Sequence, residues 1–265
     1  MDAKKGVYIA TKKDGSSYYR ASITYKNKHI SLGSFFSDKE AASAYKVAQK
    51  IVISPSKTEY RQYRSSCPLS FEKWIILHNF RDNGYYMKTP IYMHRYYFSY
   101  FLSSSQELEF DAEDLFFYST HKIFKRNGYL FVNHYGTQMN ILNRYGIKNF
   151  AVAGRDYIIK DGNPNNLRYH NIEIVNPYHG VERILHNNDF IYRAAIHIHG
   201  NYLIGKYKNP VYAAISYNKA ADYLKKHKIC SKEFPRNFIE ELSTEEYKSI
   251  YLKLKLPTKL LELKP

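Results

Sequence analysis

The chain has 265 residues, enough for one large domain or for two to three small ones that each bury a core. It carries 40 Lys and Arg against 24 Asp and Glu, a formal charge of +16, which excludes an acidic or balanced surface and makes a polyanion the expected partner. Its two cysteines, Cys67 and Cys230, lack the spacing of a thiolate zinc site or a disulfide framework, and neither a signal-peptide core nor a run of about 18 apolar residues occurs, so no membrane partner and a reducing cytoplasm are expected.

The first predicted strand runs near Val7 to Lys12, the second near Tyr18 to Tyr25, and after a turn at Asn27 a third covers Lys28 to Leu32. Side chains alternate along a strand, so Tyr19, Ala21, Ile23 and Tyr25 share an apolar face and Arg20, Ser22 and Thr24 a polar one. Ser37-Asp38-Lys39-Glu40 has the form of a capping box, followed by Ala41, Ala42, Ala44, Tyr45 and Ala48 at helical spacing. A helix of small residues packs closely on the apolar side, which leaves Arg20, Ser22, Thr24, Lys26 and Lys28 expected on the open side. Such a face suits the DNA major groove, where Arg reads guanine edges, hydroxyls adapt to either base and Lys holds phosphates; a solvated sheet face is the alternative.

The middle region, residues 55–177, has few Gly or Pro and dense aromatics, and is expected to fold. Phe71 to Phe80 has helical apolar spacing, Tyr92 to Leu102 is apolar on most sides, and Phe110 to Leu115 reads as an acidic helix start. Lys122, Lys125, Arg126 and Arg144 gather beside a predicted hairpin as backbone contacts or as a solvated basic face.

From Gly180 to Ala220 the design of Gly6 to Ala48 returns. Gly6-Val7 matches Gly180-Val181, Tyr19-Arg20-Ala21 matches Tyr192-Arg193-Ala194, Gly33 matches Gly205, and Ala41-Ala42 matches Ala213-Ala214. The second helix opens with Asn209 as cap and Pro210 at its first position. Beyond it, Ser243 caps a further helix with Tyr247, Ile250, Tyr251 and Leu254 on one face, which packs in cis or forms a homodimer contact.

The pattern of GV, YRAxI, LGxF and EAAxAY resembles the APETALA-two/ethylene-response-factor domain in its bacterial and phage variant. The resemblance covers about 45 residues per copy, and it is weaker in the second, where Ile204-Gly205-Lys206-Tyr207 replaces Leu32-Gly33-Ser34-Phe35. It implies DNA contacts from Tyr8, Lys12, Arg20, Ser22, Thr24, Lys26 and Lys28, with Arg183, Arg193, His197 and His199 in similar places of the second copy. The stretch Asp156 to Val175 resembles the second half of an HNH nuclease motif, a family that often carries such DNA-reading domains. The general-base and metal-ligand positions of that motif hold Ile159 and Ile158, and only Asn171 matches a ligand position. Aliphatic side chains neither abstract a proton nor bind a metal, so no metal, no cofactor and no catalytic residue are expected.

The resulting expectation is an α+β chain of four parts: a DNA-binding module at 1–54, a degenerate nuclease-like domain at 55–177, a second module at 178–229 and a helical tail at 230–265. The expected function is sequence-specific recognition of double-stranded DNA, as a transcriptional regulator of a phage or mobile element associated with the bacterial nucleoid. The alternative is an active HNH-type homing endonuclease built on His134, Asp161 and Asn171, His134 and His170 being the candidates for a substitute histidine; an RNA-binding or architectural protein is a third reading.

Overall fold

A computed structural model describes residues 5–53 and 58–264, so the expected boundary at residue 54 lies outside the described residues. The class is α+β, as expected. The chain forms two compact units, Met1–Met139 with Asn163–Tyr169 and Asn140–Gly162 with His170–Pro265. Among the described residues no helix is long and apolar enough to cross a membrane.

The first unit opens with β1 (Val7–Thr11), β2 (Ser17–Tyr25) and β3 (Lys28–Phe35), an antiparallel sheet in that order, followed by α1 (Asp38–Ile53). Lys26 and Asn27 take positive φ, 43° and 59°, so β2 and β3 are joined by a two-residue hairpin turn whose twist matches that of the strands. This turn fixes the register: Tyr25 faces Lys28, Thr24 faces His29 and Ile23 faces Ile30. Ser22 then pairs with Ser31 but Ala21 pairs with Gly33, so Leu32 is the extra residue of a β-bulge and lies buried at 2% exposure. The third strand therefore runs three residues past its expected end.

Helix α1 starts where Ser37 Oγ accepts the Glu40 amide, while the Glu40 carboxylate accepts the Phe36 amide. Ala41, Ala44 and Ala48 lie against the sheet with no exposed surface. The same core continues on the far side of α1 into α2 (Phe71–Asn83), whose Trp74, Ile75, Leu77 and Phe80 are buried with it. The first module is thus one layer of a larger core.

Next come β4 (Ile91–Met93), β5 (Tyr97–Ser103) and β6 (Gln106–Asp111), a second sheet, then α3 (Leu115–Thr120). The acidic helix start expected over Phe110 to Leu115 forms as a 3-10 turn at Ala112–Asp114, with Asp111 before it and Glu113 and Asp114 in it, that leads directly into α3, whereas Phe110 belongs to β6 and alternates into the core beside Phe98 and Tyr118. A third sheet, β7 (Ile123–Arg126), β8 (Tyr129–His134) and β9 (Thr137–Asn140), follows.

The second unit contains the hairpin of β10 (Tyr157–Ile159) and β11 (Ile172–Ile174) and a sheet of β12 (Val181–His186), β13 (Asp189–His197) and β14 (Asn201–Tyr207). Helix α4 (Pro210–Lys226) covers this sheet with Ala213, Ala214, Tyr217 and Ala220, and Asn209 caps it by accepting the Val211 amide. The tail, with α5 (Thr244–Lys253) and α6 (Thr258–Leu261), packs in cis. The Lys219 ammonium donates to the carbonyls of Tyr251 and Leu254, Tyr251 donates to Asp222, and Leu260 is fully buried in the module's core. On α5 itself the Tyr247 and Tyr251 hydroxyls meet Asn218 and Asp222 of α4.

The two modules repeat each other in detail beyond their sequence identity. In both, the bulge falls after the second strand's inward alanine, at Ala21/Ser22 and at Ala194/Ala195, and the extra residue, Leu32 or Ile204, is buried. Both also open on a glycine of positive φ whose carbonyl accepts the next amide of the second strand: Gly6 from Ser22 at 2.9 Å and Gly180 from Ala195 at 2.8 Å.

Candidate nucleic-acid interface

Register decides what each open sheet face presents. In the first module Tyr8 pairs with Arg20 and Ala10 with Tyr18, while Ser34 pairs with Arg20, Ser31 with Ser22 and His29 with Thr24. These residues lie opposite α1, and none of them is acidic. Arg20 is exposed, Tyr8 is 57% exposed, and Lys12 follows β1 in the exposed turn. Thr24 Oγ1 lies 3.3 Å from His29 Nδ1, so the hydroxyl and the imidazole form a polar pair on the face.

Two of the expected contacts move, and a third is buried in place. Lys28 pairs with Tyr25 and so shares the α1 side of the sheet, where its ammonium lies 5.3 Å from the centre of the Tyr86 ring. Lys26 sits in the turn, not on a strand, with its ammonium over the rings of Tyr25 and Phe80 at 5.3 and 5.8 Å. Both cations are drawn to aromatic faces by the ring quadrupole. Ser22 stays on the open face by register but is 8% exposed. Its short side chain lies between the longer Arg20 and Thr24, and its amide is tied to Gly6.

The second module presents different chemistry on the equivalent face: Glu182, Ile184, Ile191, Arg193, Ala195, His197 and Lys206. Arg193 occupies the place of Arg20, and Glu182 that of Tyr8. The Arg193 guanidinium meets Glu182 at 2.5 Å, Glu182 also meets Arg155 at 3.1 Å, and Arg155 pairs with Asp156 at 3.0 Å. Asp156 is 1% exposed. Burial works against its charge, but the Val152 amide and the Lys148 ammonium outweigh that and hold its carboxyl below the usual carboxylate range. Arg193 is therefore positioned by a chain of alternating charges anchored inside the unit.

Arg183 leaves the expected set. It pairs with Tyr192 on the α4 side, and its guanidinium stacks on Phe190 at 3.5 Å from the ring centre. His197 remains on the open face, bonded through Nδ1 to Asn201, whereas His199 lies beyond β13 in the exposed turn before β14.

The stretch from Asp156 to Val175 is held by hydrogen bonds between its own polar groups. Asn171, 2% exposed, accepts the Asp161 amide through Oδ1 and donates through Nδ2 to Asp161 Oδ1, both at 2.9 Å, clamping the turn between β10 and β11. Ile158 and Ile159 lie on β10 opposite Glu173 and Ile172. In the first unit His134 Nδ1 lies 2.8 Å from His121 Nε2, and His121 Nδ1 is held by the Phe117 carbonyl. Among the described residues, no group of three or more His, Cys, Asp or Glu is placed to hold a metal ion.

No family model, no curated protein and no solved structure matches this chain. Residues missed by sequence reasoning are Tyr18, His29, Ser31 and Ser34 on the first face, and Glu182 and Arg155 behind Arg193. The first group follows from the Lys26-Asn27 turn once its register is counted outward; the Arg155 contact has no local signal.

Proposed function

We propose that this chain is a sequence-specific double-stranded DNA-binding protein, acting as a regulator, that lays the open face of β1–β3 in the major groove. One observation carries the reading: the face opposite α1 presents an exposed Arg20 among aromatic, hydroxyl and imidazole groups, with no carboxylate among the described residues of its strands. An unopposed guanidinium is free to form the bidentate contact with guanine O6 and N7, while Thr24, His29 and the tyrosines supply adaptable donors and acceptors. The chain's net charge of +16 supports the same reading, because phosphate neutralisation supplies the sequence-independent part of affinity.

The second module contributes a narrower reader. Glu182 holds one part of the Arg193 guanidinium, which lowers the entropy lost when the remaining N–H groups meet a base. Ile184 and Ile191 beside it match thymine methyl groups.

The test begins with selection of bound duplexes from a random library, followed by titration of the selected duplex. Arg20→Ala should weaken binding by roughly 1–3 kcal/mol and relax the preference at one position, with a much smaller effect on random DNA. Lys26→Ala and Lys28→Ala, whose side chains lie on the covered side, should leave base preference unchanged. Equal losses from Arg20→Ala on selected and random duplexes would sink the assignment.

A further inference from the structure

The sheet of β7, β8 and β9 is open on one side, and that side is aromatic. The pairs Ile123 with Val132 and Lys125 with Leu130 define the inner face, where Ile123 and Val132 are buried and the Ile123 amide is bonded to the Tyr100 hydroxyl. The pairs Phe124 with Phe131 and Arg126 with Tyr129 define the outer face. There Phe124 is 39% and Tyr129 58% exposed, Phe131 is half-buried, and Asn133 and Gln138 are exposed.

The two phenylalanine rings lie nearly parallel, 25° between planes with centroids 5.7 Å apart, and form a shared shelf. Arg126 reaches across β8 to donate to Gln138 at 2.8 Å, which places its guanidinium 5.5 Å from the centre of the Phe131 ring. The sheet strands contribute no carboxylate to this face, and its cation is Arg126; Lys125 lies on the inner face, bonded to Gln106, and Lys122 pairs with Glu72 at 2.9 Å. The apolar area is flat and aromatic and carries the Arg126 guanidinium, on a chain of net charge +16 that favours a polyanion; nucleobases stack on such a surface, because their π-faces accept any ring and their linking phosphates seek Arg.

We infer that the outer face of β7–β9 is a second DNA site, one for an unpaired strand, with bases stacked on Phe124, Phe131 and Tyr129 and the backbone held by Arg126. A duplex has its bases already stacked on each other, so it cannot use this shelf; an unpaired strand can. The site is separate from the β1–β3 face and does not depend on the groove reading of that face.

The experiment measures anisotropy of a labelled oligo-deoxythymidine of about 15 nucleotides, titrated with the full-length chain, alongside a duplex and an oligo-uridine of equal length. Phe131→Ala and Phe124→Ala should each weaken oligo-deoxythymidine binding by roughly 5- to 150-fold and leave duplex binding unchanged. Phe131→Leu keeps the apolar volume but loses the ring and should weaken binding almost as much. Circular dichroism and thermal melting of all three variants should match the parent chain. The inference is overturned if the parent does not bind the oligo-deoxythymidine, if the ring variants bind it as well as the parent does, or if oligo-uridine is preferred. Loss of duplex recognition with the oligonucleotide result intact would count against the β1–β3 reading alone.

Discussion

His78 shows how a single buried residue ties stability to pH. It is fully buried on α2, its Nδ1 lies 2.8 Å from the Trp74 carbonyl, and its Nε2 lies 3.1 Å from the Thr58 hydroxyl. That arrangement suits the neutral ring, with Nδ1–H donating and Nε2 accepting, and leaves no water to solvate a cation. Burial accordingly pushes the imidazole down from 6.5 to about 4. An unfolded chain takes up the proton near 6.5 and the folded one only near 4, so between those values the unfolded state binds more protons. Stability is full above about 6.5, falls as the pH drops and levels off below about 4, with a loss of roughly 2 kcal/mol at about pH 5 from this group. Urea unfolding at about pH 7 and pH 5 checks it: His78→Gln should remove that part of the acid sensitivity. An unchanged pH dependence in the variant would assign it to other groups.

Gly6 and Gly180 act at the scale of the element, because each lets a tyrosine of the covering helix lie across the start of the sheet. A Cβ at Gly6 would fall 2.2 Å from the Tyr45 ring and 2.7 Å from the Ser22 carbonyl oxygen; at Gly180 it would fall 2.1 Å from Tyr217 and 2.8 Å from the Ala195 carbonyl oxygen. Both glycines also hold positive φ, 74° and 67°, where a side chain is disfavoured. Gly6→Ala should therefore destabilise the first unit by about 2–4 kcal/mol, from overpacking and backbone strain together. Adding Tyr45→Ala should relieve the ring clash but not the strain, so a double-mutant cycle by urea unfolding should show partial recovery. Full additivity would mean that glycine and ring do not meet. Much of this element was legible in the sequence, since strand alternation, the alanine-rich helix and the repeated GV and YRA segments carry short-range periodic signals. Register was not: Lys28, by its charge, belongs with Arg20, yet a two-residue turn sends it to the other side. Arg183 escaped for the same reason, and the Arg155–Glu182–Arg193 chain because its members are joined only by the fold.

At the scale of the whole molecule the two modules sit in different compact units of one chain, so each has its own core and its own open face. If both faces read DNA, binding of one raises the local concentration of DNA at the other to about the millimolar range, and two modest contacts become one strong one. The faces are chemically unlike: Arg20 stands among hydroxyls and aromatics, Arg193 beside Glu182 and isoleucines. A single duplex bound by both should then carry two dissimilar blocks of preferred sequence, not two copies of one. Selected duplexes from a random library should contain both blocks in the parent chain. Arg193→Ala should erase the block rich in guanine and thymine while the other persists, and Arg20→Ala should do the converse. Each substitution should also cost more on a two-block duplex than on a one-block duplex, because it removes the tethered contact as well as the base contact. One uninterrupted block, weakened alike by both substitutions, would mean that the modules share a single half-site or that only one of them reads.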